Sequence, residues 1–290
     1  MAPAGGVEAG PQRGFAALGV GNQGITNVGT LIVPNGEGPA KVEIEGNVQQ
    51  VVVPAAAKLK ELKVLSLGAD TDLFPGIPRQ FTGAGTIVKV TVEKDVTDYT
   101  FQVPGAVDQM VVGGSITGSE LSFARTLKLF SVQGDVEGST LSFARKVGKL
   151  TVKGDVDGSE ILAGYNEKQE GVNADAQIGT INIAGVLRAS NLVAGAGRGA
   201  DGIFGTADDQ LIGSGRPGVI ASIARIVLGG VEGTGATGDG FGIVAEEIGK
   251  LKIGGTPVRL APDARNDLTP IPLLPDGSTD DFYAREVVPA

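Results

Sequence analysis

The chain has 290 residues, 41% hydrophobic and only 4% aromatic, with 47 glycines and no Cys, His or Trp. Its 24 Lys and Arg against 33 Asp and Glu leave a net charge of −9, which repels phosphate backbones and argues against nucleic acid as a partner. Without Cys or His there are no disulfides, no thiol chemistry and no Ser-His-Asp or Cys-His catalysis, and no apolar run approaches the roughly 18 residues of a membrane span.

Residues 1–14 are rich in Gly, Pro and Ala and read as a flexible lead-in. They lack the charged head and apolar centre of a signal peptide, so either the protein is cytoplasmic or a leader has been removed. From there a pattern recurs: apolar-x-apolar-x-Gly-Asx-apolar. Val42-x-Ile44-x-Gly46-Asn47-Val48 matches in full, Leu65-x-Leu67 with Gly68 in part, and Val90-x-Val92-x-Lys94-Asp95-Val96 without the Gly. Met110, Phe130 and Leu150 open the cleanest copies, and Ile181, Ile226 and Leu251 open later ones; an earlier turn is expected around Leu31-x-Val33. Successive anchors from Val42 lie 23, 25, 20, 20, 20, 31, 45 and 25 residues apart, a core unit of 20 with insertions.

Such a period marks a solenoid, in which each copy touches only its neighbours and surplus residues leave as loops. Within a copy, Phe130/Val132, Val136 and Leu141/Phe143 alternate and are punctuated by Gly134 and Gly138, which predicts short strands with tight corners. The predicted fold is therefore all-β: a single-stranded parallel β-helix solenoid over 15–255, right-handed because the hexapeptide pattern of left-handed coils is missing. About nine coils at a spacing of about 4.8 Å give a rod on the order of 40 Å. Residues 20 apart should stack: Val132 on Val152, Phe123 on Phe143, Ser139 on Ser159. A leucine-rich-repeat horseshoe also allows this period, but GDVEGS and GDVDGS would break its helix. Beyond Thr256 the Pro-rich stretch cannot keep donating ladder hydrogen bonds, so 256–290 reads as a cap and tail.

GDVDGSEILAG (154–164) aligns without gaps on GVLRASNLVAG (185–195), which places insertions at about 165–176 and 196–218 at the same corner of successive coils. Both should decorate one edge, with Tyr165, Asn166, Arg198, Phe204 and Arg216 as candidate binding residues. A third insertion covers about 233–244. The second insertion carries Asp201, Asp208 and Asp209 on a Gly-turned loop, a carboxylate set that suits Ca²⁺, although the spacing fits neither an EF-hand nor a calcium-binding β-roll. Asp-Gly pairs are equally ordinary turn residues. The Asp135/Asp155 pair suggests acid–base work, but catalytic pairs have no reason to recur in every coil, and a corner role suits them better. Arg125 and Arg145 stack and would hold an acidic sugar or pair with a neighbour such as Glu120. GTGATGDGFG (233–242) lacks the Gly-Lys-Ser/Thr ending of a P-loop.

The run from IGTINIAGVLRASNLVAG through Gly199-Ala200-Asp201-Gly202-Ile203-Phe204-Gly205-Thr206-Ala207-Asp208-Asp209 resembles repeats in large exported bacterial surface proteins of β-helical type. The resemblance covers about 108–255 and implies an extracellular or cell-surface setting, without an activity. The resulting expectation is a non-enzymatic structural or adhesive module whose partners are an extracellular polysaccharide or other surface proteins. Two alternatives stand beside it: a Ca²⁺-dependent polysaccharide lyase or hydrolase of pectin-lyase-like fold, and a polymer-forming β-helix scaffold.

Overall fold

Alternating side chains, one inward and one outward, give each short run a buried face. Glycine corners turn the chain before the run grows long. In a computed structural model, which describes residues 7–8, 27–33, 35–68, 76–103, 105–213, 215–233, 240–268, 271–272 and 282–288, this builds a parallel β-helix with no helix among the described residues. The lead-in expected over 1–14 lies outside them apart from Val7–Glu8, which pair in parallel with Leu31 and Ile32.

Each coil contributes to three faces. The first face stacks residues 42–44, 62–64, 90–92, 110–112, 130–132, 150–152, 181–183, 226–228 and 251–253 in parallel register. The second is only two residues wide, as at Val136–Glu137 over Val156–Asp157. The third runs through Gln80–Gly83, Thr100–Val103, Glu120–Phe123, Thr140–Phe143, Glu160–Ala163, Asn191–Ala194, Phe241–Ala245 and Phe282–Glu286.

The predicted stacking is present: Val132 pairs with Val152, and the rings of Phe123 and Phe143 lie parallel with centroids 5.3 Å apart. Phe81 and Phe101 extend that column at 4.4 Å, and Phe130 meets both Phe123 and Phe143 edge-on at 5.9 Å. With so few aromatics in the chain, this column concentrates them within a core made largely of Val, Leu and Ile.

Two expectations are corrected and a third is placed. The second anchor is Leu62/Val64 rather than Leu65/Leu67: Val42 pairs with Leu62, Leu62 with Val90, and Leu67 with Val96 on the second face. That coil is one residue short at its first corner, so its apolar residues mimic the anchor out of phase. The earlier turn around Leu31 is present, with Leu31 on the third face opposite Val51. The segment beyond Thr256 does not stay outside the ladder, because Phe282–Glu286 adds a further parallel strand to Phe241–Ala245. That strand contains no proline. Thr256–Val258 folds back antiparallel on Glu247–Ile253, and Ile271–Pro272 does the same on Phe282–Glu286, so both terminal strands have covered edges.

The recurring Gly-Asp and Gly-Ser are explained at the corners. At the first corner the side chain of one coil accepts a hydrogen bond from the backbone of the next: Ser115 N–H donates to Asp95 Oδ1 (2.8 Å), Asp135 N–H to Ser115 Oγ (3.0 Å), Asp155 N–H to Asp135 Oδ1 (2.8 Å) and Val186 N–H to Asp155 Oδ1 (2.7 Å). The glycine before each is needed because a Cβ on Gly154 would lie 1.9 Å from Asp135 Oδ1. Lys94 stands in the glycine's slot before Asp95.

At the second corner the direction reverses. The N–H groups of Tyr99, Ser119, Ser139 and Ser159 donate to the hydroxyls of Ser119, Ser139, Ser159 and Ser190 in the following coil, at 2.9–3.1 Å. The residue before each Ser is left-handed: Gly118, Gly138 and Gly158 have φ of 58, 51 and 55°, and Ala189 is forced to 46°.

Ser139→Ala removes the acceptor of a buried N–H and should cost about 1–3 kcal/mol. Ala189→Gly relieves a left-handed Cβ and should gain up to about 1 kcal/mol. Thermal melting of both variants should move the midpoint down for the first and up for the second.

Candidate functional site

Along the third face the outward positions change character. Ser122 and Ser142 are followed, in the same column, by Leu162, Val193 and Val244. Apolar residues facing outward need a cover, and the two insertions supply it. Tyr165, Ala196, Phe204, Leu211 and Ala221 pack on this stripe together with Val287, forming a second core outside the β-helix. The insertions thus share one edge and form a packed layer.

Each predicted edge residue has a definite place in that layer. Tyr165 and Phe204 are buried and meet edge to face at 6.4 Å, and the Tyr165 hydroxyl donates to the Ala196 carbonyl (2.6 Å). Neither is a surface contact residue, a correction that follows from the apolar stripe beneath them. The Arg198 guanidinium lies 4.5 Å above the Phe204 ring and pairs with Glu160. Asn166 organises a turn, its Oδ1 accepting from Lys168 N–H (3.0 Å) and Glu170 N–H (2.9 Å). Arg216 is exposed and tied to Asp175 through Nε (2.6 Å) and its own N–H (2.8 Å). Burial alone would raise the Asp175 carboxyl, but these bonds and the Arg216 charge outweigh it and hold the pKa below the ordinary value.

Tyr283, not among the predicted edge residues, locks the layer from the last strand. Its hydroxyl donates to the Phe204 carbonyl, and its ring fills the space beside Gly205 (φ 87°), where a Cβ would lie 1.2 Å from Cε2. Burial pushes its pKa up to about 12. The signal for the stripe was present: Ile161-Leu162, Leu192-Val193 and Ile243-Val244 break strict alternation in the coils that carry insertions or adjoin them.

The three carboxylates of the loop bind its own backbone. Asp201 accepts from Ile203 N–H (2.9 Å), Asp208 from Asp201 N–H (3.2 Å) and the Thr206 hydroxyl (2.6 Å), and Asp209 from the N–H groups of Gly199 and Gly205. Among the described residues no group of three or more carboxylates converges as a metal-binding set. The Thr206 hydrogen bond chiefly holds the Asp208 pKa low, whereas burial pushes Asp209 up to about 6 against the pull of its backbone donors and Arg285.

Asp135 and Asp155 are bound to the first corner as described above, so they do not face one another as an acid–base pair. Residues 234–239 of the third insertion lie outside the described residues, and a strand, Phe241–Ala245, follows it rather than the helix a phosphate loop requires. Beside the layer lies a cleft of about 650 Å³, walled by Thr126, Arg145 and Lys146 at the third corner and by Asn173, Gln177 and Arg216 of the insertions. A smaller one of about 330 Å³ lies between Arg216 and Arg265.

No family model, curated protein or solved structure matches the chain. No helix among the described residues is long and apolar enough to cross a membrane.

Two outcomes test this layer. Adding millimolar Ca²⁺ should leave the melting temperature unchanged, since the loop carboxylates already serve backbone donors; an upward shift would show a metal site. Asp209 has a folded pKa above its unfolded one, so the folded state takes up its proton first and stability should rise as pH falls from about 7 to about 5. Glu286, also raised by burial, acts in the same sense. At lower pH the trend reverses, because Asp175, Glu43 and Glu61 are held low and their stabilisation is lost as pH falls through their folded pKa values. Two of the three tyrosines, Tyr165 and Tyr283, sit in the layer, so tyrosine fluorescence during melting reads this dependence directly.

Proposed function

We propose that this chain is a non-catalytic structural or adhesive module of a secreted or cell-surface protein, with the insertion layer as its binding edge. The observation that carries the reading is a division of labour among polar side chains. Those that recur with the repeat, Asp95, Asp135, Asp155 and Ser119 to Ser190, serve cross-coil hydrogen bonds. The polar residues of the two insertions lie beside one face, where two clefts open. A rigid rod with one decorated edge suits presentation and adhesion, and the likeness of 178–209 to exported surface repeats points to an extracellular setting.

The lyase or hydrolase alternative needs an arginine beside converging carboxylates in a groove. The carboxylates of the insertion loop are spent on its own turns, which counts against it. The polymer alternative needs open ends, and the C-terminal strands have antiparallel covers.

Incubating the chain with a panel of plant and bacterial polysaccharides should yield no new reducing ends and no unsaturated product, while a glycan array should show retention that falls when 198–209 is replaced by a short Gly-Ser turn. Turnover of any polysaccharide would overturn the non-catalytic reading. Retention unaffected by the loop replacement would move the binding edge elsewhere.

A further inference from the structure

The cleft beside the insertion layer has an electrostatic feature that the fold does not use. Arg79, Arg188, Arg198, Arg216 and Arg265 each have a carboxylate partner. Arg125, Arg145 and Lys146 have no ion pair or hydrogen-bonded side-chain partner among the described residues, and the expected pairing of the arginines with Glu120 does not form. All three are exposed. Other cations, such as Arg225 and Lys250 on the first face, also lack an ion pair among the described residues; what sets these three apart is their place at the corner beside the cleft.

The register places them together. Phe123 pairs with Phe143 and Leu127 with Val147, so Arg125 lies one coil from Arg145, about 4.8 Å along the rod. Like charges at that separation repel. The fold holds them there on a rigid corner, and a bound anion would remove the repulsion. Arg145 and Lys146 form one wall of the cleft; Asn173, Asp175, Gln177 and Arg216, with Val172 and Val219, form the other. Arg216 is fixed through Nε to Asp175, which leaves its terminal guanidinium nitrogens without a carboxylate.

We propose that a polyanionic glycan lies in this cleft and runs on across the neighbouring coil, with Arg145 in the cleft and Arg125, one coil along between the lining residues Ala124 and Thr126, taking acidic groups on successive units and the amides and Thr126 taking hydroxyls. The inference rests on the reading of this edge as a binding surface. An arginine fork pairs bidentately with a planar acid group, which gives orientation as well as charge. The spacing distinguishes a glycan from an acidic peptide: an extended peptide presents same-side residues roughly 6.6 Å apart, further than one coil, whereas the rise of one sugar unit along an extended chain is comparable with a coil. Walls more polar than apolar suit hydroxyls better than side-chain anchors.

Fluorescence anisotropy with labelled polygalacturonate, dextran sulfate, neutral dextran and poly-glutamate tests it on the full chain. One or both anionic glycans should bind, more weakly as salt rises, and the two arms separate carboxylate from sulfate as the acid recognised. Arg125→Gln and Arg145→Gln should each weaken binding on the order of tenfold, the loss of one charged hydrogen bond. Arg225→Gln, on the first face, should leave it unchanged, and unchanged melting temperatures show that the variants fold. Binding indifferent to Arg125 and Arg145, equal binding of poly-glutamate, or no binding of either anionic glycan would overturn the proposal. Retention of neutral dextran, or of another glycan on the array, would then leave the surface-module reading standing without it.

Discussion

Everything in this molecule depends on one contact repeated along the rod: a backbone N–H at a corner donating to a side-chain oxygen of an adjacent coil. Strand ladders hold the faces of any β-helix, but corners leave peptide groups with no strand partner, and a buried unpaired N–H costs about 1–3 kcal/mol. Here Asp and Ser supply the missing acceptors, pointing toward the C-terminal neighbour at the first corner, where the bonds are largely exposed, and toward the N-terminal neighbour at the second, where they are buried and that cost applies. The same device returns at the third corner near the end of the rod, where buried Glu246 and Glu286 accept from Ala221 N–H and Ile248 N–H. A carboxylate at such a corner is structural however catalytic its spacing looks.

The insertions obey a second constraint. Once Leu162, Val193 and Val244 face outward, the third face cannot remain solvated, and the loops must pack where the stripe is. Their aromatic residues are therefore consumed as core, while their polar remainder, together with the third corner, shapes the clefts. Tyr283 ties the layer to the last strand, so the terminal segment both covers the end of the rod and holds the loops.

Much of the fold was legible because a period is a long-range signal. Residues 20 apart are direct neighbours, so the register from Val90 to Leu251 could be read off identities alone, including the gap-free match of Ser159 to Ser190. It failed where a coil lost a residue, at Leu62/Val64, since Leu65 and Leu67 present the same spacing out of phase. It failed again at Phe282–Glu286, where prolines on the approach masked a proline-free strand. The site was less legible for a physical reason: Tyr165 and Phe204 look like exposed recognition residues in a loop, and only the doubled apolar positions beneath them reveal that they are buried. The unpaired state of Arg125 and Arg145 was beyond reach, because pairing is a matter of where side chains end.

The corner bonds have a bearing on how long such a rod can be. Because each coil answers only to the coil above and the coil below, a whole unit of the form Glu120–Ser139 could be gained or lost without leaving any corner unanswered. The insertion layer enjoys no such freedom, for it is spliced across several coils and the terminal segment at once. The number of coils is therefore open to genetic drift on the N-terminal side of the layer and closed beneath it, so the layer keeps its place against Phe282–Glu286 while the stack before it varies.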